Sequence, residues 1–288
     1  MQIPEPPAPV GLIAGGGRLP ALVAAGLRAQ GRPVVGVGLA GQYDPDLPGL
    51  CDKFQPVGLL RLGQWSRVLR RMGARHAIMV GAVDKARIMH DPFRIFRRVP
   101  DVRTAVVWYK RLRHDRRSPA LLSAIAEDLA QTGVTLIDST MPIQDQLAHE
   151  GVMTRRAPSV DIHADIDFGW PILMASVRLG VGQAIAVREK DVIAVEASEG
   201  TAAMIERAGS LCRRGGWTLL KGSGPDHDRR ADVPTIGPDT IRALAEAGAA
   251  CCAVEVGNVI ILDKTDTLQL ADDLGVTVVG VPAQPEQK

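Results

Sequence analysis

The chain has 288 residues, and only 3% of them are aromatic. So few rings argue against a platform on which nucleic-acid bases stack. Four cysteines are present, Cys51, Cys212, Cys251 and Cys252. They lack the paired spacing of a zinc site, and a bridge between the adjacent Cys251 and Cys252 would be strained. They read as reduced thiols of a cytoplasmic protein. Charge of one sign is missing as well. Against 34 Lys and Arg stand 32 Asp and Glu, a net charge of +2, so nothing global calls for nucleic acid as a partner. No apolar run reaches the roughly 18 residues that a membrane span needs. The opening residues, MQIPEPPAPV, carry neither the basic nor the apolar part of a secretory leader.

What is present is apolar side chain, 46% of the total, enough for two sizeable cores at this length. Val10–Ala14 reads as a short buried strand, followed by Gly15-Gly16-Gly17, a helix from Leu19 to Gln30 and a second strand, Pro33–Leu39. This β–glycine turn–α–β opening belongs to nucleotide-binding α/β domains. A further helix (Leu62–Met72), a strand (Ala77–Val80) and the tight passage Gly81-Ala82-Val83 follow, then a helix at Ala120–Gln131 and a strand at Val134–Ile137. Residues 10–138 are therefore expected to form a Rossmann-like domain with a parallel sheet. Residues 139–160 read as a linker. Residues 161–283 read as a second, mixed α/β domain, and as the catalytic one.

In that second half a helix runs to Leu179, with Pro171 expected to interrupt or kink it. The strands Ala184–Arg188 and Val192–Glu196 make a hairpin about Glu189–Asp191. Asp239 is expected to N-cap the helix Thr240–Ala247, since an Asp there accepts from orphan N–H groups.

Several stretches carry the means for chemistry. The first is Lys221–Thr240, KGSGPDHDRRADVPTIGPDT, a Gly- and Pro-rich loop between a buried strand and a helix. Its carboxylates Asp228 and Asp232 can hold a divalent metal, and Arg230 and Lys221 can clamp phosphate. His227 could titrate near neutral pH. A solvated loop of mixed charge is the competing reading. Glu199-Gly200-Thr201 opens a helix, where N–H groups and the Thr hydroxyl could receive phosphate or ribose, or Thr201 could merely cap the helix. Gln183 at a strand entry, and Gly15, Gly16, Gly17, Gly81, Ala82 and Val83 at strand exits, are substrate-binding candidates; a plain structural turn is the alternative. Asp115 could bind substrate or cap the helix that follows.

Between Lys85 and Arg117, eleven Lys and Arg face only Asp91, Asp101 and Asp115, with apolar residues interleaved. That pattern suits an anionic membrane surface, or a solvated helix pair. Two other functions compete. A dinucleotide enzyme would need an acid roughly 20 residues past the glycine turn, and none stands there. A non-catalytic phospholipid-binding module would not need Asp232.

Three blocks together carry a resemblance: Gly11–Pro20 (GLIAGGGRLP), Val181–Gln183 through Ala194–Thr201 (AVEASEGT), and Arg230–Gly237 (RADVPTIG). Over about residues 10 to 282 the chain resembles the UDP-2,3-diacylglucosamine pyrophosphatases of the LpxI type. The resemblance implies two α/β domains, a homodimer, and a cytoplasmic enzyme of lipid A synthesis working beside the inner face of the inner membrane. It implies hydrolysis of a lipid-linked nucleotide sugar to UMP and an acylated sugar 1-phosphate, with Mg²⁺ or Mn²⁺ and water attacking the phosphorus nearer the sugar. Its essential acid falls on Asp232, its arginine on Arg230 and its lysine on Lys221. The chain departs from the pattern at Gly224-Pro225 and His227, where a Lys-Pro pair and a Gln are usual. It departs again at Ser198 and Ala202, where acids are frequent.

Overall fold

The computed structural model describes residues 8–83, 100–109, 118–224, 227–230 and 233–282. Asp115 and Asp232 lie outside the described residues, as do Lys85–Arg98 and Lys110–Arg117 of the basic stretch. The chain divides into two units. The first is Met1–Ile143 together with Asp228–Asp232; the second is Gln144–His227 with Val233–Lys288.

The first unit holds five parallel strands: β1 (Val10–Ala14), β2 (Val34–Leu39), β3 (Lys53–Val57), β4 (His76–Val80) and β5 (Thr135–Leu136). Their order is β3-β2-β1-β4-β5, the doubly wound arrangement whose order reverses between β1 and β4. Every residue of β1 and β2 is buried, as expected of a parallel sheet covered on both faces. The helices are α1 (Leu19–Ala29), α2 (Leu62–Arg71), α3 (Val102–Val107) and α4 (Ser118–Gln131). Amphipathic spacing sets α2: Leu62, Trp65, Val68 and Leu69 face inward. The strand β3 and the helix α3 are additions to the sequence reading. Edge strand β3 is only partly buried and carries Pro56, so it lacks the apolar run that marks a central strand.

The second unit is a six-stranded mixed sheet in the order β6-β13-β11-β9-β7-β8, beside a two-stranded pair, β10-β12. Its strands are β6 (Gly151–Val152), β7 (Ala184–Arg188), β8 (Asp191–Val195), β9 (Trp217–Lys221), β10 (Thr235–Ile236), β11 (Ala249–Glu255), β12 (Ile260–Ile261) and β13 (Thr277–Val281). The helices are α5 (Val160–Arg178), α6 (Thr201–Leu211), α7 (Pro238–Glu246) and α8 (Lys264–Leu274). Strands β9, β11 and β13 run parallel, while β7 is antiparallel to both β8 and β9. Side chains alternate faces at period two. Leu219, Cys252 and Val254 join one core with Met204, Ile205 and Leu244. Leu220, Cys251 and Ala253 join another with Trp170 and Leu173 of α5. The α/β class, with a parallel first sheet and a mixed second one, is as the sequence implies.

Two local expectations change. Helix α5 is one continuous run of 19 residues through Pro171, because packing against the sheet outweighs the one backbone bond that a proline removes. Asp239 does not cap α7. Gly237 does, and Pro238 takes the first turn, where its missing N–H costs nothing and its fixed φ suits the helix. Asp239 instead pairs with Arg242 at 2.8 Å.

Candidate active site

The carboxyl ends of both sheets were candidates, and the two are built differently. In the first unit, the turn after β1 is stitched to the exit of β4. Gly16 N–H donates to the Ala82 carbonyl at 2.8 Å, and Ala82 N–H donates back at 2.9 Å. A Cβ on Gly15 would lie 2.6 Å from the Ala82 oxygen and 2.7 Å from that of Gly81. These glycines let two backbones touch, which is their structural use. Gly17 differs: its φ is +88° and nothing lies within 4 Å of a Cβ built there. Val83 follows directly, half-buried, and packs against the first unit's core.

In the second unit the strand ends carry polar side chains. Lys221 closes β9 and is only 6% exposed. Its Nζ donates to Thr201 Oγ1 at 2.9 Å, and that hydroxyl donates to Glu196 Oε1 at 2.8 Å. Thr201 is the first residue of α6, with Gly200 at the cap in a left-handed conformation, φ +86°. The threonine therefore links lysine to glutamate rather than capping the helix. Gln183 enters here too, its carbonyl accepting from Gly222 N–H at 3.0 Å. Glu199, one residue before Gly200, is held by Arg207 at 2.5 Å. Bonds to backbone N–H and to Arg207 hold its carboxyl below the usual range.

Glu255 is wholly buried at the end of β11. Its Oε2 accepts from Ser223 N–H at 2.7 Å and Gly224 N–H at 2.9 Å, and Asn258 Nδ2 donates to its Oε1 at 3.0 Å. It thereby fixes the first residues of the charged loop. Two buried oxygens here have no partner, Glu196 Oε2 and Ser223 Oγ. Unmatched buried polar atoms are uncommon and mark places where a ligand or water is wanted.

The residues Asp228–Arg230 belong to the first unit. There the Arg229 carbonyl accepts from Ser139 N–H at 2.9 Å and from its hydroxyl at 3.0 Å, and Arg229 Nη2 donates to Thr140 Oγ1 at 2.9 Å. Asp138 faces Arg229 at 3.5 Å. Asp228 and Arg230 come together as a bidentate pair, at 2.8 and 2.6 Å. The hydrogen bond to Asp228 pushes the Arg230 guanidinium pKa further up. Both are about 40% exposed, at 42% and 44%, so opening the pair costs about 1 kcal/mol or less. His227, half-buried, belongs to the second unit.

Among the described residues no three His, Cys, Asp or Glu side chains gather as a metal cage. Asp228 offers one exposed carboxylate. That carboxylate is engaged by Arg230; it could serve Mg²⁺, which takes one or two carboxylates and fills its other positions with water and phosphate oxygens.

Of the predicted residues, the structure joins Lys221 with Thr201, Asp228 with Arg230, and Gly16 with Ala82. The sequence reading overlooked Glu196, Ser223, Glu255 and Asn258 here, and Asp138, Ser139 and Thr140 in the first unit. One signal was available: an acid ends the fully apolar run Ala249–Val254, where a buried strand rarely tolerates charge without a task.

Comparison with known proteins gives the same outline. Residues 9–146 match the LpxI N-terminal domain and residues 149–279 the LpxI C-terminal domain. A UDP-2,3-diacylglucosamine pyrophosphatase LpxI from Caulobacter vibrioides is 31% identical over 286 residues, 96% of this chain and 98% of that protein.

Proposed function

The chain belongs to the LpxI family, and we propose that it hydrolyses the pyrophosphate bond of UDP-2,3-diacylglucosamine to UMP and 2,3-diacylglucosamine 1-phosphate, a step of lipid A synthesis. The observation that carries this reading is the buried Lys221 ammonium at the carboxyl end of the second sheet, aimed at Thr201 beside two unmatched oxygens. The likeness to the Caulobacter pyrophosphatase over nearly the full length supports it.

Hydrolysis of a phosphoanhydride needs neutralised charge, a placed water and a stabilised leaving group. In this reading Lys221 meets phosphate oxygens, a role in which a dry, fixed cation is worth far more than one in water. Arg230 swings from Asp228 to clamp the diphosphate. Asp228 and Asp232 hold Mg²⁺, or Mn²⁺ in its place; that ion supplies charge neutralisation when bound. Glu255 keeps the loop origin fixed through Ser223 and Gly224, and Arg229 anchors the segment to Ser139 and Thr140. Gln183, Gly200 and the turns at Gly15–Gly17 and Gly81–Val83 are the proposed contacts for the nucleotide, and Asp115 and His227 are further candidates. The active form is a homodimer.

The test is UMP release from UDP-2,3-diacylglucosamine by the purified protein with Mg²⁺ or Mn²⁺. Asp232→Ala should abolish turnover while the melting transition stays. No UMP with any divalent metal, or full turnover by a folded Asp232→Ala protein, would reject the proposal. The departures at Gly224 and His227 give a second arm. A chain that cleaves other UDP-sugars faster is a paralogue with an altered substrate.

A further inference from the structure

Helix α2 turns Leu62, Trp65, Val68 and Leu69 inward and leaves Arg67, Arg70 and Arg71 exposed. Arg75 follows, also exposed. These four arginines and Arg103 line a cavity of 1320 Å³, in which Asp101 is the only acid among the described residues. Asp101 is committed, accepting from Gly63 N–H and Thr104 N–H, both at 2.8 Å. Arg103 is matched by Asp128 at 2.8 Å. Arg70 donates to the Thr132 carbonyl and Arg71 to Gln55, both uncharged groups. Arg67 stands three and four residues from Arg70 and Arg71, a spacing at which like charges on a helix repel. The arrangement is mildly unfavourable alone and favourable with an anion in the groove.

Apolar surface adjoins it. Val102 lines the same cavity and is 82% exposed, and Val106, Trp108 and Tyr109 are 44%, 49% and 66% exposed. In a chain this poor in aromatics, an exposed Trp and Tyr directly after the helix that brings Val102 to the cavity is an unusual concentration. Trp and Tyr favour the boundary between headgroup and hydrocarbon, and guanidinium groups pair with phosphate in a bidentate manner.

We propose that this face of the first unit docks on an anionic phospholipid bilayer, with the arginines on lipid phosphates and the α3 residues in the interfacial layer. The proposal does not depend on the substrate assignment. A second copy of the chain fits less well, because a two-fold contact would set arginine against arginine. A small free phosphate would leave the exposed Val102, Trp108 and Tyr109 without a role.

The experiment is co-sedimentation of the full chain with phosphatidylcholine vesicles, with and without phosphatidylglycerol. Wild type should bind only the anionic vesicles, and less as salt is raised. The double variant Arg67→Ala/Arg75→Ala should lower the partition coefficient about thirtyfold, from roughly fivefold per cation near an anionic surface. Trp108→Ala should lower it less, and at any salt concentration. Circular dichroism should show both variants folded. With a short-acyl substrate in solution, the double variant should release UMP at the wild-type rate.

Equal binding to neutral vesicles, or undiminished binding by the double variant, would overturn the proposal. So would displacement from vesicles by millimolar glycerol phosphate, or a change of oligomeric state in the double variant with vesicle binding unaltered. Vesicle binding without UMP release would sink the enzymatic reading and leave this surface standing. UMP release by a protein that ignores vesicles would do the reverse.

Discussion

The two sheets end in the same kind of place and spend it differently. At the carboxyl edge of the first, backbone meets backbone: Gly16 and Ala82 exchange two hydrogen bonds, and Gly15 leaves room for them. At the carboxyl edge of the second, Lys221, Thr201, Glu196 and Glu255 bring two carboxylates and an ammonium out of water. Burying such groups is costly unless they are matched, and here the matching is incomplete. The contrast teaches where to look. A strand end closed by its own backbone stabilises a fold, whereas one that buries charged and polar side chains is the better place to look for chemistry.

The comparison can be broken most directly at Lys221. Lys221→Met should cut UMP release about 10²–10³-fold, the range found when a fixed electrostatic group is removed from a dry site, with the fold retained in a thermal melt. A variant with near-normal turnover would erase the distinction between the two edges.

The next effect is on stability and belongs to the first unit. Gly15→Ala should destabilise by about 3 kcal/mol, because its Cβ meets backbone oxygens that cannot retreat. Gly17→Ala should cost only about 1 kcal/mol, the strain of a left-handed φ in open space. Denaturant unfolding of the two variants measures the gap. Equal losses would remove the close-approach argument.

The smallest effect sharpens the contrast in alkali. Burial pushes the Cys252 thiol up to about 12, with the Lys221 ammonium pulling part of the way back, and burial also raises Cys251 well above the ordinary thiol value. In the unfolded chain these thiols ionise near pH 9, while the native ones keep their protons. The unfolded state then binds fewer protons, so stability falls as pH rises above 9, by about 1.4 kcal/mol per pH unit for each thiol. Cys252→Ala should flatten that slope by one such increment, read from denaturant melts between pH 9 and pH 11. An unchanged slope would mean the thiol already ionises in the native protein.

Much of the architecture was legible in the residues. The apolar runs at Val10, Val34 and Ala77, each followed by glycine or a helical pattern, mark a parallel sheet in the sequence alone. The edge strand β3 was not legible, since an edge can be polar and can carry proline. Nor was the continuity of α5 through Pro171, which depends on the sheet packed beneath it. At the candidate site the strand-end residues Lys221 and Thr201 were readable as types of residue, but their meeting was not. Glu255 gave only a weak signal, one acid closing the apolar run Ala249–Val254.

Local pattern thus determined most of the strands and helices and the α/β class, because periodicity of apolar residues is a property of short windows. The tertiary structure alone decided the chemistry. Glu196 and Thr201 are 5 residues apart, Thr201 and Lys221 are 20, and Ser223 and Glu255 are 32. Strand ends gathered at one edge bring such separated groups, side chains and the Ser223 N–H alike, within hydrogen-bonding reach. Burial at that edge then removes the water that would otherwise satisfy their oxygens.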